Sequence, residues 1–83
     1  MMNDPIHEII FELIREERKF QDNKWGNRHN SDMRWCLIAL EELGEVSKDI
    51  IEGNHHKLAD KEIIQVAAVC VAWLKQRVEK RNG

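Results

Sequence analysis

The chain has 83 residues and a formal net charge of −2, enough for one domain, 1–83, with a modest hydrophobic core. That balance argues against a general binder of nucleic-acid polymers, which needs a basic excess. It leaves nucleotides open, because a metal ion can neutralise phosphate charge locally. Cys36 and Cys70 stand alone and read as reduced core thiols. The N-terminus has no signal-peptide order, and the longest apolar run, Val66 to Leu74, is too short to span a bilayer. These features predict a cytoplasmic protein that makes no membrane contact.

Asp4-Pro5 opens the first predicted helix: a capping side chain, then proline where a missing N–H costs nothing. Ile6, Ile9, Ile10, Leu13 and Ile14 place an apolar stripe on that helix, which should end near Phe20 or Gln21. Asp22 to Asn30, with Gly26 and three asparagines, reads as a loop. Ser31 can cap a second helix running to about Glu52, where Gly53-Asn54 supplies a left-handed stop. A third helix should run from about His56 to Lys80. Its Val66–Leu74 segment is apolar around the whole circumference and must be covered on all sides. Two amphipathic neighbours cannot do that alone, so the expected architecture is all-α: a three-helix protomer in an oligomeric bundle, a homodimer or homotetramer.

Glu41, Glu42 and Glu45 fall within about a quarter-turn of the second helix at 100° per residue, with Asp49 close by. Such carboxylates repel by a few tenths of a kcal/mol per pair, and Lys48 is the one nearby lysine to relieve them. By spacing alone a solvated acidic face explains this as well as a cation site does. Register favours the site. In an antiparallel hairpin of helices two and three, Glu45 pairs with Glu62 and Glu42 with Gln65, because both pairs are centred on Gly53-Asn54. Glu62 shares a stripe with Val66, Val69 and Trp73, where an unpaired carboxylate is costly. Oxygen donors alone suit Mg²⁺, or Mn²⁺ in its place, and no Cys/His set has zinc-ligand spacing.

Glu41-Glu42-x-x-Glu45 followed by Glu62-Ile-Ile-Gln65 resembles the EExxE and ExxD motifs of the MazG-like all-α NTP pyrophosphohydrolases. Gln21-x-x-Lys24-Trp25-Gly26 before the cluster and Val66 to Val69 after it are also similar to the short, single-domain members. The resemblance spans about Arg18 to Trp73. It implies hydrolysis of a nucleoside triphosphate between the α and β phosphates, as a house-cleaning activity. Glu42, Glu45, Glu62 and Gln65 would then be metal ligands, with Glu41 and Glu45 the catalytic carboxylates, Glu41 holding a second ion or orienting water. Gln65 departs from the family's aspartate: its carbonyl can ligate but carries no charge. The contrasting reading is a non-catalytic oligomerisation module or a metal-dependent nucleotide sensor.

Trp25 reads equally well as a base-stacking platform, with Lys24 reaching phosphate and Gln21 a base edge, or as a loop anchor. Arg18, Arg28 and Lys48 are further phosphate candidates that read better as plain surface charge, and Trp35 and Trp73 read as core or interface residues. His55-His56 reads as a solvated turn, and His29 carries no assigned role.

Overall fold

The computed structural model describes residues 4–26, 28–53 and 59–82. Among them are three helices and no strand: α1 (Pro5–Trp25), α2 (Asp32–Ile51) and α3 (Ala59–Asn82). The caps form as the sequence predicts. Asp4 Oδ1 accepts from the Ile6 N–H at 2.9 Å, and Ser31 Oγ accepts from the Arg34 N–H at 3.1 Å. At the far end of α2, Gly53 takes a positive φ of 81°, and its N–H donates to the Ile50 carbonyl. The predicted helix start at His56 and the His55-His56 turn lie outside the described residues.

One boundary moves. α1 continues a full turn past Gln21, to Trp25. Side chains spaced three and four residues apart support the extra turn: Glu17 with Gln21, and Arg18 with both Gln21 and Asp22. Gly26 then ends the helix at a φ of 81°, a left-handed value that glycine adopts without a steric penalty. Trp25 and Lys24 therefore sit on the last turn of α1 rather than in a loop.

α3 lies between the other two helices and packs against both, while no Cα of α1 comes within 8 Å of one in α2. Trp35, Val69 and Ala72 form the core, with Ile38, Ala39 and Trp73 packed against them. Polar contacts lock the packing. Asp32 accepts from the Trp73 indole N–H at 2.9 Å and from the Arg77 guanidinium at 2.7 Å. These bonds hold its carboxyl below the usual range, chiefly the Trp73 bond, then that of Arg77. Gln76 fastens the loop before α2: its Oε1 accepts from the Asn30 N–H and the Trp35 indole, and its Nε2 donates to the Asn30 carbonyl.

The apolar circumference of α3 is covered on one side only. Ala68, Val69 and Ala72 are buried, whereas Val71, Leu74 and Val78 are exposed. Exposed apolar residues also run along α1 (Ile6, Ile9, Ile10, Leu13) and α2 (Met33, Leu37, Leu40). Cys36 departs from expectation. Its position on α2 turns the thiol outward, so it is exposed rather than in the core, and Cys70 is half-buried.

Gln76→Ala removes three hydrogen bonds and strands the partly buried Trp35 N–H and Asn30 groups. The expected loss is about 2 kcal/mol, read as a lower urea midpoint by tryptophan fluorescence.

Candidate functional site

Of the two pairs the sequence predicts, Glu42 of α2 and Gln65 of α3 come within hydrogen-bond reach. Glu42 on α2 and Glu62 on α3 flank Gln65, and all three are half-buried. The groups within reach of the Gln65 amide are acceptors, which favours the orientation that points its nitrogen at them. In that orientation it donates to Glu42 Oε2 at 3.0 Å and to Glu62 Oε2 at 3.2 Å. In this arrangement Gln65 is a neutral bridge between two carboxylates. Glu41 and Glu45 lie on exposed positions of the same helix.

The crowding shows in the acidity of the group. Burial, and then the charges of Glu62, Glu17, Glu41 and Glu45, push the Glu42 carboxyl above its usual range. Burial, then Asp49 and Glu45, raise that of Glu62, with Lys61 opposing. Asp49, one turn beyond Glu45, has its Oδ2 shielded from solvent with no hydrogen-bond partner among the described residues.

The donor set is hard and all-oxygen, rich in negative charge, and includes an orphaned carboxylate oxygen: the chemistry of a magnesium or manganese site. Among the described residues, no three His, Cys, Asp or Glu side chains stand where they could jointly hold an ion. The backbone therefore gathers the donors on adjacent faces, and their flexible ends would have to turn inward to enclose a cation.

Beside this cluster, the gap between α1 and α2 forms a cleft of about 290 Å³. The α3 residues Val69 and Ala72 line it together with Trp25, Trp35 and Ile38. Arg18, Arg28, Arg34 and Lys75 also line it, and Glu41 and Glu42 connect it to the acidic cluster. Of these cations, Arg18 pairs with Asp22 and Lys75 with Glu79. Arg28 and Arg34 make no ion pair among the described residues.

Sequence-predicted contacts distribute unevenly around the cleft. Trp25 lines it and is 51% exposed. Gln21 also lines it but is 6% exposed, and its amide is already engaged by Glu17, Arg18 and the Gln65 carbonyl. Lys24 turns elsewhere: its ammonium lies over the Trp25 ring, 4.8 Å from the centroid, and it does not line the cleft. Lys48 does not line it either. Arg34, Lys75 and Gln76 were not singled out in the sequence. Each is an ordinary polar residue on a helix, and only the meeting of three helices gives them a common cavity. Glu17 was likewise unremarked; its spacing four residues before Gln21 is the signal that pointed to it.

Glu42 and Glu62 hold their protons more tightly in the folded chain than at their ordinary values, so their stabilising contribution is complete at acid pH. It is lost as pH rises through their raised values, above about 4.5. Glu42→Gln should therefore raise the Tm of the metal-free protein by a few degrees at pH 7 and leave it unchanged near pH 3. Thermal melts in chelator across that range check this. In comparisons with protein-family models, curated proteins and solved structures, nothing matches this chain.

Proposed function

We propose that the protein is a metal-dependent nucleoside triphosphate pyrophosphohydrolase that releases a nucleoside monophosphate and pyrophosphate. One observation carries the reading: a carboxylate cluster assembled by hairpin register opens onto a cleft lined by indoles and arginines. That combination supports the reading with oxygen donors for a cation, a surface for a base and counter-charge for phosphates.

Glu42, Glu45 and Glu62 would hold Mg²⁺, or Mn²⁺, with the Gln65 carbonyl able to ligate only if its amide turns over. When bound, such an ion would polarise phosphoryl oxygens and help bring attacking and leaving groups into line. The chain's own residues do the rest. Trp25, half-exposed at the cleft, offers a ring face to a base. Arg28 and Arg34 meet phosphate oxygens with planar, charge-assisted donors. Glu41, which lines the cleft and is exposed, would accept the proton of an attacking water. Lys24 acts through the Trp25 ring rather than through phosphate.

A second reading has its own observation. The Gln65 amide presents donors to Glu42 and Glu62, which suits a site that binds nucleotide with metal but does not turn it over. Pyrophosphate release from ribo- and deoxyribonucleoside triphosphates with Mg²⁺ separates the two. The hydrolase reading expects release by the wild type and a loss of about 10²-fold or more in Glu45→Gln, since a metal contributes several kcal/mol. Nucleotide-dependent thermal stabilisation without release selects the sensor instead.

The uncovered faces of all three helices support self-association into a homodimer or homotetramer. Light scattering should give a mass of two or four chains, and Leu37→Glu with Leu40→Glu should reduce it.

A further inference from the structure

We propose that the outer face of α2 seats a second copy of this chain, the two α2 helices antiparallel, with Leu40 of each opposite Gly44 of the other. The inference rests on the self-association reading and names the surface and register it uses.

α2 is apolar on two sides. On one side Trp35 packs against Val69 and Ala72 of α3. At 100° per residue, the opposite side is an arc of about 140° that carries no charged side chain from Met33 to Ile51. Met33, Leu37, Leu40, Gly44, Ser47 and Ile51 run along its midline, and all six are exposed. The ends of the stripe, Met33 and Ile51, are 73% and 80% exposed.

Gly44 is the independent sign that something approaches this face. Positive φ is confined to Gly26 and Gly53 among the described residues, so Gly44 is an ordinary helical position. A Cβ added there would meet nothing within 4 Å among the described residues. The single chain therefore gains nothing from a glycine that weakens its helix. A close approach from outside accounts for it.

The spacing selects the partner. Steps along the midline are four, three, four, three and four residues, a pattern that reads the same in reverse. An antiparallel copy centred on residue 42 thus meets itself in register, as a two-fold interface requires. Leu40 then faces Gly44, Leu37 faces Ser47 and Met33 faces Ile51, so each leucine fills the space over a small residue. A parallel copy would set Gly44 on Gly44 and Leu40 on Leu40, with a void in one layer and crowding in the next. The surface area agrees. The chain exposes 6760 Å², against about 5,200 Å² for a compact monomer of its size. The surplus, roughly 1,600 Å², is about twice what each partner of a standard interface gives up.

Sedimentation velocity of the full chain across a concentration series tests the register, with helical circular dichroism as the check on folding. Gly44→Leu should weaken association by about tenfold or more, because the added side chain meets Leu40 of the second copy. Open space around Gly44 within one chain leaves the helix itself intact. Leu40→Ala added to Gly44→Leu exchanges large and small within the layer and should restore association. A second readout adds no bulk. Chains carrying Leu40→Cys and chains carrying Gly44→Cys, both with the exposed Cys36 changed to Ser, should cross-link to each other more than to themselves. Unchanged association in Gly44→Leu, tighter association as a parallel pair would give, no rescue by Leu40→Ala, or preferential self-linking each overturns the inference alone. A wild type that stays monomeric throughout the series overturns self-association as well.

Discussion

Carboxylates that share a helix face repel, and packing a second helix against that face makes water scarcer and the repulsion stronger. The α2–α3 hairpin accepts this cost at Glu42 and Glu62, and Gln65 is what makes it tolerable. A neutral amide between two acids supplies donors without adding charge. An aspartate at that position would leave the same pair facing a third negative group until a cation arrived. The raised proton affinities of both glutamates record the burial, and then the mutual repulsion, that they carry.

The opposite end of the molecule is held by conventional means. Asp32 joins the first turn of α2 to Trp73 and Arg77, and Gln76 binds the preceding loop. Between these ends α3 serves both neighbours, which keeps α1 and α2 apart and opens the cleft. A core of Trp35, Val69 and Ala72 is small for three helices of this length. Much apolar surface is left on the outside.

The helix order, both N-caps and the Gly53 stop were legible in the sequence because each depends on local chemistry. Hairpin register was legible for a related reason: in an antiparallel helix pair, positions equidistant from the connection become neighbours, and the Glu42–Gln65 approach follows from it. The end of α1 was not. Asparagines and Gly26 imply a loop from Asp22 onward, but the side-chain ladder of Glu17, Arg18, Gln21 and Asp22 favours another turn. That extra turn carries Trp25 to the cleft and Lys24 onto its ring. Gln65 was legible as a departure from an acidic pattern, yet its role as a donor depends on which way an amide faces, and no sequence records that. The cleft itself needs all three helices in place, so Arg34 and Lys75 could not be distinguished from other surface charges beforehand.

The Gln76 fastening has a consequence for how a ligand would arrive. Its three bonds fix Asn30 and Trp35 before anything is bound, so this wall of the cleft is preorganised. A guest meeting it loses its own freedom of motion but pays little to order the host there. Selectivity on this side then comes from fit to a standing surface, and recognition should proceed at the pace of encounter and orientation.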